Sequence, residues 1–173
     1  MRVILETERL MLRELERTDA DDLARTLCDR ENMRFYEKEF TRSDVDLWIE
    51  RCKERYATHG TALWAVVLKS DAQFIGDCGL IPQIVDGVDE TEIGYHLERA
   101  YQGRGLATEA ARACRDYGFH QLGRKRLISL IRPENTPSQR VAQRNGMVVE
   151  RETVWAGLPH LVYVALPDAA GVR

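Results

Sequence analysis

Midway along the chain the pattern changes character. A strand-like stretch, Glu92-Ile93-Gly94-Tyr95-His96-Leu97, runs into the loop Tyr101-Gln102-Gly103-Arg104-Gly105. An Ala-rich stripe follows, in which Leu106, Ala110, Ala113, Cys114 and Tyr117 recur at helical spacing before Gly123 stops it. A strand that passes through glycines into a helix calls for an α/β architecture with a helix N-terminus at a strand end. It also narrows the chemistry. First-turn amides lack intrahelical acceptors and carry partial positive charge, and glycine lets an anion approach the main chain closely. The segment therefore reads as a pyrophosphate cradle.

The rest of the 173 residues reads as one domain, 1–173, with no Pro- or Ser-rich linker to divide it. Arg9–Leu15 reads as a first strand. Thr18 and Ser43 are candidate N-caps of two helices, the second carrying Val45, Trp48, Cys52 and Tyr56 on one side and stopping at Gly60. Strands are expected at Ala62–Leu68, Gln73–Ile81 and Glu90–Leu97, joined by turns at Lys69-Ser70-Asp71 and Asp86-Gly87. A strand at Arg126–Ile131, a short helix at Ser138–Arg144 and two strands at Val148–Trp155 and His160–Leu166 complete the chain. The expectation is a mixed α/β fold with a mainly antiparallel sheet of six to seven strands and about four helices.

Charge is unevenly spread. Residues 1–98 hold 13 basic and 22 acidic side chains, whereas 99–151 hold 11 basic and 4 acidic. A basic stretch in an acidic protein suits an anionic ligand. Nucleic acid is not expected, since no nucleic-acid-binding motif accompanies it. The longest apolar runs fall short of the roughly 18 residues of a membrane span. No export signal is read at the N-terminus, so a cytoplasmic protein is expected. Cys28, Cys52, Cys78 and Cys114 lack metal-site spacing and read as free buried thiols, with no metal expected.

Three phosphate-binding patterns compete at the loop. The string G-x-x-x-x-G-K-[ST] does not occur. A dinucleotide fingerprint needs a third glycine where Thr108 stands, and an acid about 20 residues on where Arg124, Lys125 and Arg126 stand. The third pattern is that of acetyl-CoA. Gln102-Gly103-Arg104-Gly105-Leu106-Ala107 resembles the Q/R-x-x-G-x-G/A signature of the GNAT acetyltransferase superfamily. Thr7-Glu8-Arg9-Leu10-Met11-Leu12-Arg13 resembles the opening strand of its Rim-type branch, which acetylates ribosomal-protein N-termini. Glu92–Leu97 is similar to the branch's fourth strand. Asn135-Thr136-Pro137-Ser138, with Val141 and Asn145-Gly146-Met147, is similar to its N-x-x-S…N-G-F segment.

The resemblance implies a GNAT fold and an N-acetyltransferase that uses acetyl-CoA as cosubstrate, without a metal. The acetyl group would pass directly, in a ternary complex, to a primary amine on a protein N-terminus or a small molecule. Tyr95, His96 and Leu97 would line the pantetheine arm, Gln102, Gly103, Arg104, Gly105, Leu106, Ala107 and Thr108 would hold the pyrophosphate, and Asn135 and Ser138 would face the arm from the far side. Glu92 is the candidate base, with Glu90, Asp89 and Glu152 as competitors. The family's usual tyrosine acid is replaced by Ala142, so Ser138, which also reads as a helix N-cap, is the candidate acid, with Tyr163 and Tyr95 as fallbacks. A main-chain amide near Leu97 would meet the oxyanion. The segment Arg34–Arg42 and the first two helices would form the acceptor side, whose acidic surroundings favour a cation. The protein would act as a monomer or homodimer. Two alternatives predict different behaviour: a catalytically weak CoA-binding sensor or interaction module, and a nucleotide-binding protein.

Overall fold

The computed structural model describes residues 2–167. The strands are β1 (Val3–Glu6), β2 (Leu10–Arg13), β3 (Leu63–Leu68), β4 (Gln73–Val85), β5 (Val88–Leu97), β6 (Leu127–Ile131), β7 (Val148–Trp155) and β8 (Leu158–Ala165). The α-helices are α1 (Ala20–Leu27), α2 (Arg42–His59), α3 (Leu106–His120) and α4 (Thr136–Arg144). The strands form one sheet in the order β1-β2-β3-β4-β5-β6-β8-β7. Neighbours are antiparallel except β5 and β6, which run parallel. The sheet has eight strands, one more than the upper expectation. Val3–Glu6 pairs with β2 across a tight reversal in which the Thr7 hydroxyl accepts from the Leu10 amide at 2.9 Å.

Alternation along β3 explains the layers. Trp64, Val66 and Leu68 point to one face and pack against α3 through Leu106, Ala110 and Cys114. Leu63 and Ala65 point to the other, where Leu23 and Leu27 of α1 and Val45 and Ile49 of α2 cover them. Each buried leucine contributes roughly 2 kcal/mol of apolar transfer, so both helical layers are held by their stripes. Among the described residues no helix is long and apolar enough to cross a membrane.

Several caps differ from expectation. Thr18 lies inside a 3₁₀ turn (Arg17–Asp19), and α1 starts from Asp19. The cap of α2 is Thr41 rather than Ser43. Its hydroxyl accepts from the Asp44 amide, while Asp44 accepts from the Thr41 amide at 2.8 Å. The cap of α4 is Asn135, which accepts from the Ser138 amide at 3.2 Å, so Ser138 stands in the first turn rather than at the cap. Cys52, Cys78 and Cys114 are buried thiols, but Cys28 is exposed.

The feature that shapes the site is the single register point between β5 and β6, Glu92 opposite Ile128. Beyond it the Ser129 hydroxyl donates to the Ile93 carbonyl at 2.8 Å, and no further ladder pair joins the two strands. The strands thus part toward their C-terminal ends, where parallel sheets of α/β proteins present their ligand crevices.

Candidate active site

After β5 come the short turn Arg99–Tyr101 and the glycine loop of residues 102–105, and α3 follows. Gly103 and Gly105 have φ of 72° and 77°. Both angles lie in the left-handed region that glycine adopts without strain. Gly105 is the N-cap residue of α3 and has no side chain that could cap it. The first-turn amides of Leu106, Ala107 and Thr108 are therefore left for an external acceptor. The outer side of the loop is open. A Cβ on Gly103 would meet no atom within 4 Å, and one on Gly105 would meet only an Arg9 guanidinium nitrogen at 3.6 Å. This geometry fits a diphosphate on the α3 amides.

Gln102 does something sequence reasoning did not foresee. Its amide donates to the Leu97 carbonyl at 2.9 Å and to the Asn32 side chain at 2.5 Å, tying the loop to the end of β5 and to the connection between α1 and α2. A second tie comes from the N-terminus. Glu109 in the first turn of α3 accepts from the Thr7 hydroxyl at 2.6 Å and from the main chain and guanidinium of Arg9 at 3.0 and 2.6 Å. Arg9 also donates to the Arg104 carbonyl at 3.1 Å. Burial pushes the Glu109 carboxyl up, but the Thr7 and Arg9 hydrogen bonds outweigh it and leave the carboxyl below its ordinary range. The Thr7-Glu8-Arg9-Leu10 motif thus braces the glycine loop from outside. Arg104 lies over the Tyr101 ring, 5.5 Å from its centroid.

The alternation of β5 divides the predicted residues. Tyr95 faces α4 and donates to the Ser138 carbonyl at 2.9 Å, and Leu97 is buried in the α3-side core. His96 and Glu92 face the α2 side. The parting of β5 and β6 leaves the open strand edge near Tyr95–Leu97 to a ligand's own polar groups, as in strand addition. The cap bond uses one acceptor of Asn135, and its side-chain amide remains a donor. Tyr163 is buried and bonded to Gln139 at 3.1 Å. Glu90 is tied to Arg126 at 3.0 Å. Glu152 is exposed on the edge strand β7, with β6 and β8 between it and β5. Neither of these two carboxylates faces the opening. Ala142, 1% exposed, packs into the core.

Glu92 lies where β5 and β6 begin to part. Burial raises its carboxyl above the ordinary range, against hydrogen bonds from Gln83 (2.8 Å) and the Leu130 amide and the influence of His96 and Arg55. Beside it lies a cluster that sequence reasoning missed. Asp77 of β4 is fully buried, with one oxygen 2.7 Å from His96 Nδ1 and the other accepting from the Trp48 indole at 2.9 Å. A hydrogen bond to a charged group is worth roughly 1.5–3 kcal/mol. His96 Nε2 meets the Tyr36 hydroxyl. Rings of Phe40, Trp48, Tyr36 and His96 pack edge-on or tilted around it, with centroids 5.5–5.8 Å apart. Most charges of the segment around Tyr36 are paired, as in Lys38–Asp44, Arg30–Glu39 and Arg42–Asp21.

Comparison with known proteins bears on this arrangement. The acetyltransferase (GNAT) domain model matches residues 9–148. The chain is 38% identical over 148 residues to the uncharacterized protein YkkB of Bacillus subtilis (strain 168), covering 83% of this chain and 84% of that one. It superposes on a GNAT-family acetyltransferase from Bacillus anthracis with TM-score 0.80 at 27% identity, covering 94% and 97%. A ribosomal L7/L12 alpha-N-protein acetyltransferase in complex with coenzyme A shares the fold, with TM-score 0.79 at 16% identity over 97% of this chain and 99% of that one. With a family model matching most of the sequence and a relative this similar across both lengths, the chain belongs to the GNAT acetyltransferase family.

Proposed function

We propose that this chain is a single-domain N-acetyltransferase that moves the acetyl group of acetyl-CoA to a primary amine by direct attack in a ternary complex. The observation that carries the reading is the uncapped, glycine-led N-terminus of α3 at the mouth of the β5/β6 parting. A pyrophosphate on the amides of residues 105–108 directs the pantetheine arm along the open edge of β5, between the Tyr95–Leu97 main chain and Asn135. Leu97's neighbourhood supplies a main-chain donor to the developing oxyanion. Ser138, in the first turn of α4, faces the departing sulfur as proton donor. Glu92 meets the incoming ammonium, and its charge holds the cation beside the thioester.

The acceptor enters from the α1/α2 side, past Tyr36, Phe40 and Trp48. Aromatic faces and one carboxylate suit a cationic amine. Mixing the protein with acetyl-CoA and a panel of amines, including polyamines and N-terminal peptides, and reading released thiol with product mass tests the proposal. Amine-dependent thiol release with a product heavier by one acetyl group is expected. CoA binding without turnover on any amine would replace the enzyme with a sensor, and ATP or NAD binding that CoA does not displace would replace it with a nucleotide-binding protein.

A further inference from the structure

We propose that Asp77, His96 and Tyr36 form a proton relay whose terminal group, the Tyr36 hydroxyl, takes the proton of the acceptor ammonium. The inference rests on the amine-acetylation reading and assigns the proton that this reaction must remove. Two observations carry it. Asp77 is a fully buried carboxylate, and one of its oxygens accepts from His96 Nδ1 at 2.7 Å. A carboxylate only accepts, so Nδ1 carries the hydrogen and Nε2 of the neutral ring presents its lone pair. That lone pair faces the Tyr36 hydroxyl, which therefore donates to it. A buried Asp–His pair aimed at a hydroxyl is a base with its orienting group. Core packing alone would be served by apolar residues at these positions.

The second observation is where the chain of bonds ends. Asp77 sits inside, between β4 and α2, where the Trp48 indole holds its other oxygen at 2.9 Å. Tyr36 stands at the other end, on the segment that leads into α2; its residue is 40% exposed, while its hydroxyl turns inward to His96 and burial pushes the phenol up. Glu92 acts on Tyr36 and lies on the same face of β5 as His96. The relay thus opens beside the carboxylate that attracts the ammonium. The charged and titratable groups around it are Asp77 from β4, Glu92 and Tyr95 from β5, Glu37 from the Tyr36 segment, Cys52 and Tyr56 of α2 beside Asp77 and, acting on Glu92, Arg55 from α2.

The proton balance is complete with these groups. An ammonium N–H bond breaks as an O–H bond forms on Tyr36. The former Tyr36 O–H bond breaks as an N–H bond forms at His96 Nε2. His96 is then an imidazolium held by the Asp77 carboxylate. The neutral amine adds to the thioester carbon, the C–S bond breaks, and the sulfur takes the second nitrogen proton by way of Ser138. After product leaves, His96 returns its proton to solvent through Tyr36. Glu92 keeps its charge throughout and acts as the cation's anchor.

The test compares Tyr36→Phe and His96→Gln with the parent enzyme on amines of high and low basicity. A strongly basic amine arrives protonated, whereas an arylamine arrives neutral and needs no deprotonation before attack. Both variants should lower kcat about 100-fold on the basic amine, lose the acidic limb of the kcat/KM profile, and change little with the arylamine or in CoA affinity. Equal loss on both amines, or an unchanged rate and pH profile, would overturn the relay. An independent readout is the ¹⁵N spectrum of the His96 ring. It should show the Nδ1–H tautomer in the parent and in Tyr36→Phe, and an Nε2–H tautomer would overturn the relay even if the variants were inactive. Absence of turnover by the parent on every amine would instead refute the amine-acetylation reading, leaving the ring spectrum as the relay's own test.

Discussion

The cofactor side and the acceptor side of this molecule are built from different materials. On the cofactor side the working groups are main-chain amides at the start of α3, and their placement depends on Gly103 and Gly105 at φ of 72° and 77°. On the acceptor side the working groups are side chains, Glu92, His96, Tyr36 and Trp48, brought from β5, α2 and one irregular segment around the buried Asp77 of β4. A site made of main chain is written locally, because glycine positions and a helix start lie within a few residues of one another. A site made of side chains is written in tertiary contacts. His96 is 60 residues from Tyr36, and Trp48 is 29 from Asp77.

The comparison predicts that the two sides fail in different ways. The largest effect is expected at Gly105. A tryptophan there must take a left-handed φ and fills the face on which the diphosphate would lie. Gly105→Trp should weaken CoA about 100-fold or more by calorimetry, since the strain of roughly 1–2 kcal/mol adds to lost contacts. Unchanged affinity would break the main-chain account of the cofactor side. Next comes Glu92→Gln. Loss of the anchoring charge should raise KM for a cationic amine about tenfold, with CoA affinity unchanged. A fall in kcat alone at constant KM would instead make Glu92 the base. Because burial raises the Glu92 carboxyl, cation binding in the parent should weaken as pH falls through that raised pKa, and Glu92→Gln should abolish this dependence.

A smaller effect is expected at the brace between the N-terminus and α3. Glu109→Ala removes the acceptor of Thr7 and Arg9 and should raise KM for acetyl-CoA about threefold, for a loss of roughly 1 kcal/mol per hydrogen bond partly offset by water. The acceptor KM should be untouched, which separates the two sides again. The smallest effect lies away from both. Hydrogen bonds from Arg126 and the charges of Arg126 and Arg151 hold exposed Glu150 down to about 2. A carboxyl depressed in the folded state stabilises above its unfolded pKa and loses that contribution as pH falls through its folded value. Glu150→Gln should therefore slightly flatten the decline of Tm between about pH 4.5 and pH 2, and should leave catalysis unaltered.

Much of the scaffold is legible in the sequence for the same reason as the cofactor loop. The continuous apolar run of β3, the alternation of β5, the Asp86-Gly87 turn and the Gly60 stop are local, and each lies where the pattern places it. The errors fall where neighbouring residues offer the same chemistry. Thr41 and Ser43 can each cap α2, and Thr41 has the acid three residues on that completes the reciprocal pair. Asn135 outcompetes Ser138 because a cap must precede Pro137, which stands in the first turn of α4. The strand Val3–Glu6 is too short to show a period, and its pairing with β2 defines it. The brace of Thr7 and Arg9 on Glu109 spans about 100 residues, so the motif at one end and the helix at the other give no local sign of each other. His96 was visible as a residue, but its partners are contributed by β4, α2 and the segment before α2, which no spacing rule connects.

The measurement that bears most directly on the account is a structure of the protein with coenzyme A bound. The account predicts the diphosphate on the main-chain amides of residues 105–108, the pantetheine arm along the open edge of β5, and the sulfur at the space faced by Glu92 and Tyr36. A diphosphate bound away from the α3 N-terminus, or an arm lying outside the parting of β5 and β6, would contradict it.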